Sequence, residues 1–238
     1  MRKKTSLGTY LAHAGICSRR NADTIVRQGL VSLNGAVVKE PGTPVLEGDI
    51  VLHRGKPVKL EKKVYVLLNK PSDYLSAVTD TEYDRRTVLD LVKNVCEERL
   101  YPVGRLDYKT TGLIVLTNDG DFAQKLAHPS YEVTKIYRAT LSHNFKHSDL
   151  TRIKNGILLE DGPMLVDDIF YDNPGDYKNI IVVLHSGKNR IVRRIFEHVG
   201  YRVEALDRIN YAGLTKRGLK LGQWRFLDSH EVQKLIAK

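Results

Sequence analysis

The chain has 238 residues, 42% hydrophobic and 28% charged, with a formal net charge of +10, so we expect one large or two unequal domains with a real core. No apolar run approaches the roughly 18 residues of a membrane span, and the start MRKKTSL lacks the apolar centre of a signal peptide, so we expect no membrane span and a cytoplasmic location. Cys17 and Cys96 are isolated, so neither a disulfide framework nor a zinc site is indicated.

Residues 1–60 predict a small module that begins with two helices. Gly15 is expected to end the first helix, and Ser18 is a suitable N-cap for the second. Arg19 and Arg20 occupy the first turn of that second helix, where the helix dipole disfavours cations. We therefore predict that these two arginines bind an external anion, for which a backbone phosphate is the obvious candidate.

A β-hairpin is predicted after the helices. The pair Asn34-Gly35 separates the apolar runs 30–33 and 36–38, which is typical of a type I′ turn. The polar stretch 54–63 contains Gly and Pro and predicts a linker. A second domain, 64–238, is expected to follow it.

Short apolar runs alternate irregularly with helical patterns throughout the second domain. The strand candidates are 64–69, 113–117, 135–142, 163–170, 179–186, 202–210 and 223–227. The helix candidates are 87–94, 119–127, 147–155, 189–199 and 229–237. Because several strands follow one another without a helix between them, an α+β fold with a mostly antiparallel sheet is favoured over a doubly wound one.

Two parts of the chain concentrate the positive charge. Residues 1–63 carry twelve Lys/Arg against five Asp/Glu, and residues 188–225 carry ten against three. Two separate basic regions predict a polyanion contacted at two places. For either region alone, a solvated surface that aids solubility remains the alternative.

The segment 104–112, GRLDYKTTG, places one carboxylate among basic and hydroxyl groups between two glycines, directly before a buried strand. Such a loop can hold a reactive side chain on a rigid edge. Spacing alone also fits an ordinary turn in which Asp107 bonds its own backbone.

Four segments in this order resemble the motifs of RNA pseudouridine synthases of the RsuA/RluB/RluE/RluF family. They are Asn69-Lys70-Pro71, Gly104-Arg105-Leu106-Asp107 with Thr110 and Gly112, Lys135-Ile136-Tyr137, and residues 187–197. Residues 11–49 resemble the S4 RNA-binding domain. Ser72-Asp73-Tyr74, Ile191 and Asn21 stand where the family usually has other residues.

The resemblance implies a catalytic domain with a long antiparallel sheet and a cleft across it. Asp107 would be the essential carboxylate, Tyr137 would stack near the target base, and Arg193 would hold the carboxylate with its guanidinium fork. Neither a metal nor an organic cofactor is required for this chemistry. The side chains expected to contact RNA are Arg19, Arg20, Lys70, Arg105, Lys135, Lys188, Asn189, Arg190, Val192 and Arg194.

The sequence therefore predicts a monomeric enzyme that isomerises a specific uridine in a loop or stem-loop of ribosomal RNA, with large-subunit RNA favoured. Direct attack of Asp107 at C1′ and a glycal route both remain open. One alternative is a non-catalytic RNA-binding assembly factor, supported only by Ser72-Asp73-Tyr74 and Ile191. Another is a hydrolase with a carboxylate pair, for which the sequence offers no partner to Asp107.

Overall fold

The computed structural model describes residues 4–237, which form two compact units. The first unit comprises the residues up to Val64 with 97–99 and 118–120, and the second comprises the remainder. Residues 1–3 and 238, which the predicted domains 1–60 and 64–238 include, lie outside the described residues. Within residues 4–237, no helix has both the length and the apolar character that crossing a membrane requires.

The first unit is built from helices and short strands. In chain order its elements are β1 (Thr5–Ser6), α1 (Leu7–His13), α2 (Arg19–Arg27), β2 (Val31–Leu33), β3 (Ala36–Val38), β4 (Pro44–Val45), β5 (Val51–His53) and β6 (Lys56–Pro57). The Ser18 hydroxyl accepts a hydrogen bond from the Asn21 N–H, as expected of an N-cap. Asn34 and Gly35 have φ of 51° and 86°, which confirms the type I′ hairpin between β2 and β3.

The predicted linker at 54–63 is wrong over its first part. Arg54 and Gly55 both have positive φ and form a second tight turn, which pairs β6 with β5. Val58 is then buried among the apolar residues of the first unit. The composition of a hairpin turn and that of a linker are alike, so Gly and Pro alone did not distinguish them.

The second unit contains one large sheet with helices against it. Its elements are β7 (Tyr65–Lys70), β8 (Tyr101–Pro102), β9 (Thr111–Thr117), α3 (Gly120–Ala127), β10 (Lys135–Leu141), α4 (His147–Lys154), β11 (Ile157–Leu159), β12 (Gly162–Met164), β13 (Asp168–Asn173), β14 (Asp176–Leu184), α5 (Ile191–His198), β15 (Val203–Tyr211), β16 (Leu214–Thr215), β17 (Trp224–Phe226) and α6 (Ser229–Ile236). The strand order is β13-β14-β10-β15-β9-β7-β17, and β9 and β15 pair in parallel while the other described pairs are antiparallel. The predicted α+β fold is confirmed.

Two predicted elements differ from the structure. The helix expected at 87–94 is a single 3-10 turn, Asp90–Val92, because the Asp90 carboxylate accepts the Thr87 N–H at 2.6 Å and closes a compact turn. The strand expected at 163–170 is two strands, since β12 pairs with β11 while β13 pairs with β14. Continuous apolar character did not reveal this change of partner.

The central strands give the sheet a buried frame. Leu67, Leu113 and Val115 pack on one face with Phe122 of α3 and Leu235 of α6, and all five are at most 4% exposed. Burying each such side chain stabilises the fold by about 1.5–3 kcal/mol relative to leaving it exposed. The loop before β9 therefore starts from a rigid edge.

Candidate active site

The Asp107 loop joins β8 to β9, and backbone hydrogen bonds hold it. The Thr110 N–H donates to the Asp107 carbonyl oxygen at 3.0 Å, which closes a turn. The Ser76 hydroxyl donates to the Leu106 carbonyl at 3.0 Å and accepts the Leu106 N–H at 3.1 Å. Gly104 opens the loop at φ 72°. Because backbone groups secure the loop, the Asp107 carboxylate is free for other partners.

Lys70 lies beneath this loop and not on an RNA-facing surface, which contradicts its predicted role as an RNA contact. Its side chain is fully buried. The ammonium donates to the carbonyl oxygens of Asp107, Tyr108 and Thr110 at 3.2, 3.2 and 2.7 Å, and to that of Pro71 at 3.0 Å. Burial lowers its pKa to about 8, against the opposing effect of nearby carboxylates. Lys70 remains mainly protonated at pH 7 and ties the loop together.

Arg193 meets the Asp107 carboxylate from α5. The distance from Arg193 Nε to Asp107 Oδ2 is 3.6 Å, and the two side chains are 13% and 39% exposed. A second guanidinium nitrogen, Nη1, donates to the Val203 carbonyl at 2.8 Å. The expected two-pronged fork is therefore not formed. Instead, β15 anchors the guanidinium and leaves its Nε edge facing the carboxylate.

Helix α5 has the apolar stripe that its sequence predicts. Ile191, Val192, Ile195 and Phe196 are all at most 5% exposed. The helix begins at residue 191 and not at 189, because Arg190 has a left-handed backbone at φ 47°. This packing turns Arg193 towards the Asp107 loop.

Lys135 and Tyr137 lie two residues apart on β10, and both line the same cleft as Asp107. Tyr137 is 9% exposed. Lys135 donates to the carbonyl oxygens of Val133 at 2.9 Å and His185 at 2.8 Å. Burial, followed by the charge of Arg208, lowers the pKa of Lys135 to about 8.

The cleft has a volume of about 140 Å³. A cavity of about 150 Å³ holds benzene in other proteins, so this volume suits one six-membered ring. The predicted residues that line it are Arg105, Asp107, Lys135, Tyr137, Lys188, Arg190 and Val192. An adjoining hollow of about 450 Å³ shares the walls formed by Arg105 and Lys188 and adds Asn189.

Arg194 lies away from this cleft. Its guanidinium makes two hydrogen bonds to the Asp161 carboxylate, at 3.0 and 2.6 Å. These bonds hold the pKa of the Asp161 carboxyl at about 2. Arg194 lines a separate hollow with Glu197 and His198. Arg19 and Arg20, in the first unit, are exposed on α2 as predicted.

The predicted set did not include Thr110, Leu206, Arg208 and Tyr211, which also line the cleft. Arg208 is 3% exposed, its Nε donates to the Leu113 carbonyl at 2.7 Å, and its Cζ lies 4.2 Å from the centre of the Tyr211 ring. The sequence did contain a signal for the burial of Arg208, because strand alternation puts it on the same face as the apolar Leu206.

Two departures from the family pattern fit the site. Asp73 has φ 66°, donates its N–H to the Tyr108 carbonyl at 2.9 Å and pairs with Lys109 at 2.6 Å. The hydrogen bond from Lys109 is the main cause that lowers the pKa of the Asp73 carboxyl. Ile191 is 5% exposed and forms part of the cleft wall. The loop at 72–74 thus packs against the Asp107 loop.

Gly112 allows β9 and β15 to approach each other closely. It has φ 113°, and a Cβ at this position would lie 2.4 Å from the Arg208 carbonyl oxygen, across the parallel pairing of β9 with β15. We expect Gly112→Ala to lower the free energy of unfolding by about 2–5 kcal/mol, through backbone strain and overpacking.

Urea denaturation measures this loss, and Gly104→Ala is the matched control. Gly104 also has positive φ, at 72°, but its added Cβ would meet nothing within 4 Å. The control should therefore lose only the conformational cost, about 1–2 kcal/mol. Equal losses in the two variants would contradict the close approach at Gly112.

Comparison with known proteins assigns a family to both parts of the chain. The family model described as RNA pseudouridylate synthase matches residues 64–198, and the S4 domain model matches residues 7–51. A solved structure described as a pseudouridylate synthase superposes with a TM-score of 0.68 at 25% identity, over 97% of this chain and 99% of that one.

Curated relatives align over nearly the whole length. The "Ribosomal large subunit pseudouridine synthase B" of Bacillus subtilis is 43% identical, over 97% of this chain and 95% of the relative. An "Uncharacterized RNA pseudouridine synthase" of Aquifex aeolicus is 38% identical, over 97% of this chain and 93% of the relative.

Proposed function

Since the chain belongs to the RNA pseudouridylate synthase family and carries an S4 domain, we propose that it isomerises one specific uridine of ribosomal RNA, in the large subunit, to pseudouridine. The name of the Bacillus subtilis relative supports the choice of large-subunit RNA. We further propose that residues 1–60 form a module that binds the RNA and that residues 64–238 catalyse the reaction. The protein is proposed to act as a monomer in the cytoplasm.

The ion pair between Asp107 and Arg193 in a cleft that Tyr137 also lines is the observation that carries this proposal. The carboxylate is the group required near C1′ or its 2′ neighbour when the base is detached at N1. Arg193 holds it in position through their ion pair. The cleft volume of about 140 Å³ suits retention of one free uracil ring while it turns.

Tyr137 is proposed to stack near the base and to take part in the proton transfer that completes the reaction. The target uridine must leave its stack before it can enter the cleft, which costs a few kcal/mol. Four exposed side chains line the cleft or the adjoining hollow of about 450 Å³, namely those of Arg105, Lys188, Asn189 and Arg190. They are proposed to bind the RNA phosphates on either side of the target uridine. Val192 would contact the base as part of the apolar wall.

Arg194 is proposed to contact RNA only if it exchanges partners. Its two hydrogen bonds to Asp161 already satisfy the guanidinium fork, so a phosphate would have to displace that carboxylate. Lys70 is not proposed as an RNA contact, since its buried ammonium serves the loop carbonyls.

The purified protein and unmodified transcripts of both ribosomal RNAs provide the test. Pseudouridine mapping after incubation should find one modified position in the large-subunit transcript and none in the small-subunit transcript. Modification confined to the small-subunit transcript would overturn the substrate assignment. Tight binding without any pseudouridine would instead favour a non-catalytic RNA-binding factor.

The basic face of α2 yields a prediction about salt dependence. Each phosphate neutralised on single-stranded RNA contributes about 0.7 to the slope of log Kobs against log salt concentration. If Arg19 and Arg20 each contact one phosphate, the variant with both changed to Ala should lose about 1.4 from the magnitude of that slope. Filter binding of the target RNA between low and high salt measures it.

A matched control removes two positive charges from a part of the surface outside both basic regions. Lys146 and Lys178 are exposed and lie outside both basic regions, so changing both to Ala should leave the slope nearly unchanged. A slope that falls equally in the two double variants would indicate a diffuse charge effect without specific contacts by α2.

A further inference from the structure

The cleft contains a buried cation to which the mechanism above gives no role. Arg208 is 3% exposed, and among the described residues its guanidinium forms no ion pair. Its Nε donates to the Leu113 carbonyl, but its Nη2 is buried without a hydrogen-bond partner in the described part of the chain. Burying an unpaired charge opposes folding, so its retention in a cleft wall calls for a compensating use.

The surrounding structure prevents this guanidinium from reaching solvent. Its Cζ lies over the Tyr211 ring at 4.2 Å, and Tyr211 is itself only 1% exposed. The backbone of Arg208 lies directly against Gly112 across the parallel strand pair. The positive charge is therefore fixed beside the cleft, where its burial weakens the screening by water.

Lys135 places a second cation on the same cleft. Its ammonium donates only to carbonyl oxygens, those of Val133 and His185, among the contacts formed within residues 4–237. Burial and the charge of Arg208 lower its pKa to about 8, while Asp167 acts in the opposite direction. At pH 7 the ammonium is therefore still mostly charged. Arg208 and Lys135 thus place two positive charges on one cleft, although the two charges repel each other.

We propose that Arg208 and Lys135 stabilise the negative charge that the uracil base carries between its detachment from C1′ and its reattachment through C5. This inference deepens the proposed function and rests on it. When the C1′–N1 bond breaks, its electron pair leaves with the base and spreads over N1, C5, O2 and O4, while C1′ either bonds to the Asp107 carboxylate or becomes part of a glycal as C2′ loses its proton. C5 then supplies the pair that bonds to C1′, as the Asp107–C1′ bond breaks or the C2′ proton returns. C5 loses its proton and N1 gains one, so that the net change is an isomerisation.

Fixed charges aimed at the charge that develops during a reaction accelerate it because they need no reorganisation. Asp107 and Arg193 act at the sugar, whereas Arg208 and Lys135 would act on the departing base. Arg208→Met should accordingly slow the single-turnover conversion of uridine by about 100-fold, with the Kd for RNA little changed. Arg208→Lys, which retains the charge, should recover part of that loss.

The decisive readout compares two target RNAs, one with uridine and one with 5-fluorouridine at the modified position. Fluorine already stabilises the departing base as an anion, so the 5-fluorouridine substrate needs less help from the protein. We expect the rate penalty of Arg208→Met, measured as loss of the N1-linked nucleoside under single turnover, to be several-fold smaller with 5-fluorouridine. An equal penalty on both substrates would overturn the inference and indicate a purely structural role.

Two further variants keep the test decisive if Arg208→Met fails to fold. Lys135→Met should show the same smaller penalty with 5-fluorouridine, and an equal penalty on both RNAs would again overturn the inference. Arg152→Met is the matched control, because Arg152 is exposed and lies outside the cleft and both basic regions, so it should leave both rates unchanged. If the wild-type protein forms no pseudouridine, the proposed function fails; if it does and the Arg208 variants match it, only this inference fails.

Discussion

Replacing Asp107 with Asn should abolish pseudouridine formation while the protein still folds and binds RNA. The substitution keeps the shape of the side chain but removes the charge that the proposed mechanism requires near C1′ or its 2′ neighbour. We expect a single-turnover rate at least about 10⁴-fold below wild type, since loss of a group that forms or assists a covalent step has effects of this order. That rate is measured by incubating a fixed amount of the target RNA with excess protein and following pseudouridine formation over time.

RNA affinity separates this effect from misfolding. Asp107 is an anion in a cleft that receives a polyanion, so Asp107→Asn should bind the RNA as tightly as wild type or more tightly. Asp172→Asn is the matched control, because Asp172 pairs with Arg138 and does not line the cleft. Wild-type levels of product from Asp107→Asn would contradict the role of this carboxylate.

Replacing Lys70 with Met should damage both stability and activity, although Lys70 does not line the cleft. The ammonium serves four carbonyl oxygens, three of which belong to the Asp107 loop. With methionine, the carbonyl oxygens of Asp107 and Tyr108 keep only the N–H groups of Thr110 and Asp73, those of Pro71 and Thr110 lose the ammonium donor, and the loop is held less firmly. We expect the free energy of unfolding to fall by about 3 kcal/mol or more. Urea denaturation and the single-turnover rate measure the two losses.

Lys109→Met provides the comparison for this variant. Lys109 belongs to the same loop, but it is 70% exposed and pairs only with Asp73 among the described ion pairs. A surface pair contributes little, so this variant should unfold much like wild type. If Lys70→Met were as stable as Lys109→Met, the loop would not depend on the buried ammonium.

The sequence predicted those parts of the site that are local or continuous along the chain. The Asp107 loop, the apolar stripe of α5 and the alternation on β10 are patterns within a few residues, and each places its polar side chain on a definite face. The cap at Ser18 and the turn at Asn34-Gly35 are confirmed for the same reason, since both depend on local backbone chemistry.

The parts that were missed depend on contacts between distant segments. The burial of Lys70, which was predicted to contact RNA, was missed because it requires the Asp107 loop to fold over the side chain. Arg208 was missed although strand alternation placed it on the face of Leu206, because its position beside Gly112 depends on a parallel strand pair between distant segments. The partner of Arg194 is Asp161, which comes from a turn far along the chain.

The central claim is that this cleft makes pseudouridine in ribosomal RNA through Asp107. The most direct test maps pseudouridines in ribosomal RNA from cells that contain the gene, lack it, or carry only the Asp107→Asn form. We predict one large-subunit position that is modified by wild type and unmodified in the other two strains. An unchanged map in cells without the gene, or full modification by the Asp107→Asn form, would contradict the claim.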